Sequence, residues 1–347
     1  MNYWHEVCQP SALGVNYRYE QRVCVANISN TIDSFGQPPQ MITPRGPNLG
    51  RMLKYVGWPL AFLLAWDVLI VLAYKVLGWT WVGSQSVPLA LYGSAIGIVV
   101  GFRNNSAYDR WWEARKLWGR IVNSSRSLAR QVCGTMHPVK QDDPEEAREL
   151  AEMKKRVIYQ QIAFAHCLRQ QLRGLAPISE AERLLNVNDL AAICGSRNMA
   201  LAIQHRIGAA LAEAKLRGWI GAFEWQALDR TLTDLADSQG GAERIKNTPL
   251  PKQYDYFPML FVHIFCILLP TGMVEQLGWF TPAGSTLVGF MFLALDKIGR
   301  DLEDPFDNTI FDVPMTAIST TIEADLRQLL GEEKLPEPIT PVRGVLW

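Results

Sequence analysis

Four apolar blocks interrupt an otherwise polar chain: Tyr55–Trp79, Val87–Phe102, Phe257–Gly272 and Trp279–Leu295. The first is long enough to cross a hydrocarbon layer of ~30 Å at ~1.5 Å per helical residue. The second is shorter, but it continues with no Pro, and no Gly between Gly101 and Gly119, into "GFRNNSAYDRWWEARKLWG". That stretch predicts one helix running out of an apolar environment into an aqueous one. Short linkers, Thr80–Ser86 and Met273–Gly278, join the blocks in pairs and predict two transmembrane hairpins. Core helices of a soluble α-protein are the competing reading, and the length of the first block argues against it.

The middle of the chain, Asn104 to Pro251, reads as helices. In "ARELAEMKKRVIYQQIAFAHCLRQQL" apolar positions recur at three- and four-residue spacing with charges on the other face. Breaks are expected at Pro138–Pro144, at Gly174–Pro177 and across "DSQGGAERIKNTPLP". The pattern divides the chain into an unassigned N-terminal extension (1–41), a first transmembrane hairpin (42–102), a helical cytoplasmic domain (103–252), a second hairpin (253–296), a cytoplasmic segment (297–334) and a Pro-rich tail (335–347). The fold class is an all-α membrane protein.

Charge placement fixes an orientation. Arg45, Arg51 and Lys54 precede the first block; Arg103, Arg110, Arg115 and Lys116 follow the second. Lys246 and Lys252 precede the third, and Lys297 and Arg300 follow the fourth, whereas neither linker holds a Lys or Arg. The positive-inside rule then puts both termini and the whole middle in the cytoplasm, with the chain as a multi-pass protein of the inner (plasma) membrane. The N-terminus shows no basic region followed by an apolar core and cleavage site, so no signal peptide is expected.

Composition changes this picture little. Formal charge is zero and hydrophobic residues reach 48%. No nucleic-acid partner is implied, and the lipid bilayer is the expected one. Several of the 12 tryptophans flank the apolar blocks, where an indole ring suits a membrane–water boundary. The six cysteines are widely spaced, with no C-x-x-C pair, and suit reduced, mostly buried thiols. The five histidines show no metal-ligand spacing, so neither metal nor cofactor is expected. No G-x-S-x-G, H-E-x-x-H or P-loop is present, and an enzyme is not expected.

Two features could carry function. Gly93, Gly97 and Gly101 recur every four residues, a smooth stripe that lets helices approach closely. Ser94, Ile98 and Phe102 repeat one position further round. Copies of this helix around an axis could pack on one stripe and face the axis with the other; ordinary packing within one subunit is the alternative. Asp67, midway along the first block, would cost about 2.5–3.5 kcal/mol if left facing lipid. It is therefore either a functional intramembrane acid or a hydrogen-bond partner of another helix.

Three motifs carry a family resemblance: "GFRNNSAYDRWWEARKLWG", "GGAERIKNTPLP" (Gly240–Pro251) and "LEDPFDNTIFDVPM" (Leu302–Met315). Their residues, order and spacing resemble those of the bestrophin family, particularly its bacterial branch, over roughly residues 42–335. The resemblance implies four transmembrane helices per subunit, a helical cytoplasmic domain and a homopentamer around one ion pathway. It places the pore neck on Ser94, Ile98 and Phe102, where five copies of Ile98 and Phe102 would make an apolar ring that gates by excluding water or passes ions that shed part of their hydration. Ser94 stands where the family usually has a bulky apolar residue. A second, cytoplasmic constriction maps near Phe223. The implied function is passive ion flux, with anions such as chloride as the first reading, monovalent cations such as sodium as the alternative, and a membrane scaffold without transport as the third. In animal members a dense acidic run after "EDPF" helps clasp calcium. Here Asp307, Asn308 and Asp312 are interrupted by Ile310 and Phe311, so no such clasp is expected, and Asp304-Pro305 reads equally as a helix-start turn.

Overall fold

The structure, a computed structural model, describes residues 49–83, 88–140 and 142–341. The N-terminal extension and part of the first linker lie outside the described residues. Among those described, every regular element is helical: α1 (Leu49–Val56), α2 (Trp58–Lys75), α3 (Leu89–Thr135), α4 (Pro144–Leu172), α5 (Ile178–Leu184), α6 (Val187–Ile193), α7 (Met199–Leu216), α8 (Ala222–Asn247), α9 (Lys252–Leu277), α10 (Thr281–Glu303) and α11 (Met315–Leu329). Short 3-10 turns at Thr80–Val82 and Gly278–Phe280 follow α2 and α9.

The expected junction helix is real. α3 is uninterrupted over 47 residues, ~70 Å at 1.5 Å per residue. It is the spine of the molecule: its first part packs on α9 and α10, its second on α8, α11 and α4. One face stays buried along its length, through Ile96, Val100, Arg103, Ala107, Ala114, Trp118, Ile121 and Leu128. Two cores sit at its two ends. Val100, Val262, Leu269, Leu293 and Leu63 form one. Trp118, Phe164, Leu168, Ile203 and Ile322 belong to the larger one, built by the middle helices and α11.

Several boundaries differ from the sequence pattern for local physical reasons. α9 runs to Leu277, through most of the expected second linker, because no Gly or Pro intervenes between Met273 and Gly278, whose positive φ of 54° ends the helix. "DSQGG" does not break α8. A Cβ on Gly241 would lie 2.8 Å from Leu117 Cδ2, so this glycine permits close approach of α3 and α8 rather than a turn. The break expected across this stretch falls at its far end, Thr248–Pro251. Asp304-Pro305 does not start a helix: α10 ends at Glu303, Phe306 is fully buried, and α11 begins only at Met315. α2 and α3, neighbours in sequence, both pack on α9 and α10. Cysteine burial is mixed, with Cys167 and Cys266 buried, Cys133 half-buried and Cys194 exposed. Burial pushes the Cys167 thiol up to about 12, which leaves it unreactive.

Candidate functional site

Ser94, Ile98 and Phe102 lie on the face of α3 opposite its packed face. Ile98 is 60% and Phe102 65% exposed. Ser94 is also exposed, and its hydroxyl donates to the Leu91 carbonyl at 2.8 Å, so it is partly satisfied by its own helix. The glycine stripe splits. Gly93 faces Phe265 within the subunit, at 3.1 Å from a built Cβ, whereas Gly97 and Gly101 face open space.

Immediately beyond Phe102 the chemistry inverts. Arg103 is only 1% exposed. Its guanidinium donates to the Asp296 carbonyl oxygen at 2.6 Å, approaches the Asp296 carboxylate at 3.4 Å and pairs with Asp255. Arg300 holds the other oxygen of Asp296 at 2.8 Å. The neighbouring Asn104 amide donates to the Leu295 carbonyl at 2.8 Å. These groups tie α3 to the start of α9 and the end of α10. Gly299 makes room for them: a Cβ there would lie 2.0 Å from Asn104 Oδ1 and 2.7 Å from Arg103 Nη1. Two turns further, Arg110 donates to the carbonyls of Glu303 at 2.7 Å and Thr248 at 2.6 Å, and also to that of Ile245. Trp111 Nε1 donates to the Phe311 carbonyl at 2.9 Å. Arg110 thus closes the helix ends of the two other motifs, while Arg103 binds Asp255 and Asp296 outside them.

Sequence reasoning counted Arg103 and Arg110 among the orienting charges and missed this role. The available signal was the placement of Asp255 and Asp296, acids at the ends of apolar blocks.

Asp67 is fully buried and accepts hydrogen bonds from Ser285 Oγ at 2.9 Å and Thr286 Oγ1 at 2.8 Å. It joins α2 to α10 and lies on an element that does not carry the Ser94, Ile98 and Phe102 face. Phe223 is 85% exposed in the first turn of α8. In the "EDPF" segment Asp307 pairs with Lys246, and Asp312 accepts from the Thr309 backbone N–H at 3.0 Å and from its hydroxyl. Asn308 supplies the tight turn with φ 67°. These acidic and amide groups fold the segment around itself and α8.

The geometry defines a helical protein whose apolar end exposes rings and aliphatic chains, including Trp58, Phe62, Phe261 and Leu287. Trp58–Lys75 and the region Lys252–Glu303 are each apolar enough to cross a membrane, with mean hydropathy 1.6 and 2.0. Residues 46–328 match the family described as Bacterial/Fungal Bestrophin protein, and the chain belongs to that family. It is 38% identical over 256 residues to the voltage-dependent anion channel-forming protein YneE of Escherichia coli K12, covering 74% of this chain and 80% of the relative. A voltage-dependent anion channel-forming protein of Nostoc is 33% identical over 292 residues, covering 82% and 89%. The crystal structure of a bacterial bestrophin homolog from Klebsiella pneumoniae matches with TM-score 0.73 and 28% identity, over 80% of this chain and 99% of that one. The chain is a membrane protein of this family.

Proposed function

We propose that the chain is one subunit of a homopentameric ion channel and that the open face of α3 lines its central pathway. In this reading residues 42–102 and 253–296 form the membrane part, with four crossings. Residues 103–252 and 297–334 form the cytoplasmic part of this inner-membrane protein, and both termini lie in the cytoplasm. Ser94, Ile98 and Phe102 form the neck, and Phe223 a second constriction. The observation that carries the reading is the exposure of Ile98 and Phe102 on a helix whose opposite face is fully packed. Large apolar side chains left open at this end need lipid or protein as a partner, and because the same face of α3 continues through exposed Asn105, Asp109 and Lys116, copies of the helix around a wet axis fit it better than lipid does.

Anions are the preferred permeant ions, because relatives at this level of identity are named anion channel-forming proteins. The test is a reversal-potential measurement on purified protein in liposomes under a KCl gradient. Reversal near the chloride potential supports the anion reading, and reversal near the potassium potential assigns a monovalent-cation channel of the same architecture. Absence of any current would leave a membrane scaffold.

A further inference from the structure

The basic residues after the second apolar block, which all count toward orientation, are sorted by the structure into two kinds. Arg103 and Arg110 are spent on Asp255, Asp296 and helix-end carbonyls. Lys116 and Arg120 are not. Both are exposed, and neither has an ion-pair or side-chain hydrogen-bond partner among the described residues, in contrast to Arg126 on a neighbouring face, which pairs with Asp325 at 2.6 Å.

Their angular position matters more than their exposure. At 3.6 residues per turn, Asn105, Asp109, Trp112, Lys116, Arg120 and Asn123 all project within about 40° of Ile98 around α3. Every one of them is exposed, as are Ile98 and Phe102 above them. The face left open at the apolar end is therefore the same face left open for the rest of the helix. Its first charge is Asp109, ~10 Å beyond Phe102; Lys116 follows at ~20 Å and Arg120 at ~27 Å, at 1.5 Å per residue. Asp109 too lacks an ion-pair or side-chain hydrogen-bond partner among the described residues.

We propose that Lys116 and Arg120 set the charge preference of the pathway from below its uncharged neck, with Asp109 opposing them. This rests on the reading of Ile98 and Phe102 as the neck. Ser94, Ile98 and Phe102 carry no formal charge; a phenyl ring offers an ion only its quadrupole, whereas full charges further along the same path act on the sign of the ion directly. A ring of like charges in a confined vestibule with low-dielectric walls focuses its field and raises the local concentration of counter-ions. Between Phe102 and Asn123 two unpaired bases against one acid per subunit leave this stretch of the face positive and favour anions at its inner mouth.

The experiment compares reversal potentials of reconstituted wild type, Lys116→Gln, Arg120→Gln, the double variant and Asp109→Asn under one KCl gradient. Arg148→Gln, which removes the same charge from the exposed face of α4, is the control. The expected result is a fall of at least about threefold in the anion-to-cation permeability ratio for the double variant and a rise for Asp109→Asn, with Arg148→Gln unchanged. Lys116→Arg should keep the wild-type ratio. The differences should shrink at 1 M salt, where the screening length falls to ~3 Å. An unchanged ratio in both the double variant and Asp109→Asn, with channels still conducting, overturns the proposal. Failure of the underlying neck reading is read separately, as unaltered conductance when Ile98 and Phe102 are both replaced by Ala.

Discussion

Phe102 and Arg103 are adjacent on α3, yet the phenylalanine is 65% exposed and the arginine 1%. In a soluble helix those values would be reversed. The packed face of α3 holds a charged bracket, Arg103 with Asp255, Asp296 and Arg300, whereas the open face at the same level carries no charge, only Phe102 and Asn105. The difference follows from what each face meets. A guanidinium at the end of an apolar block must be paired, because an isolated charge in a low-dielectric setting costs several kcal/mol. An aromatic ring on the other face pays no such penalty and, in the proposed reading, forms part of a barrier that ions cross only by shedding water. The packed face and the proposed transport face are thus separated by the rotation of a single residue, ~100°.

The largest effect should come from breaking the packed face. Asp296→Ala leaves Arg103 and Arg300 without their shared carboxylate and should destabilise the protein by about 3–5 kcal/mol. Thermal unfolding of the detergent-solubilised protein measures it, and a variant as stable as wild type would show that the bracket contributes nothing. Gly299→Ala strikes the same point sterically, since its Cβ has no room beside Asn104 and Arg103.

On the open face, Ile98→Ala with Phe102→Ala should behave oppositely. Protomer stability should hold, because these side chains bury little, while flux through reconstituted channels should rise as the barrier to wetting falls. A stability loss as large as that of Asp296→Ala would erase the distinction between the two faces.

A smaller effect is expected away from the pathway. Burial alone would raise the pKa of Asp189, but hydrogen bonds from Arg156 at 2.5 Å and Arg206 at 3.0 Å outweigh it and hold the carboxyl at about 2. Its pKa is lower folded than unfolded, so its contribution is present above about pH 4 and is lost as pH falls toward 2. Asp189→Asn should cost about 1.5–3 kcal/mol at neutral pH and flatten the acid sensitivity of unfolding in that window. The smallest effect is expected from calcium. Asp307 and Asp312 are engaged with Lys246 and Thr309, so micromolar calcium on the cytoplasmic side should leave the current unchanged. A steep rise abolished by Asp307→Ala would show otherwise.

Much of the architecture can be read from local pattern. The apolar blocks, the continuity of α3 and the stripe of Ser94, Ile98 and Phe102 all depend on spacing within one segment. What cannot be read that way depends on partners far along the chain. Asp67 finds Ser285 and Thr286 across more than 200 residues, and Arg103 finds Asp296 across 193. Gly241 looks like a helix breaker until Leu117 of α3 is seen against it, and Asp304-Pro305 looks like a helix start until Phe306 is seen in the core. The division of the basic run into paired and unpaired members is hidden in the sequence for the same reason. Lys116 and Arg120 resemble Arg103 and Arg110 in sequence and differ only in which way α3 turns them.

The central claim is that one face of α3 lines the ion path from the neck into the cytoplasmic part. Single cysteines placed along α3 in a background without native cysteines, treated with a charged thiol reagent during current recording, test it most directly. Modification at Ile98, Asn105, Asp109, Trp112 and Lys116 should alter the current, while cysteines at Val100, Ala107, Ala114 and Ile121 should not respond. Block at the packed positions, or silence at the open ones in channels that conduct, would contradict the account.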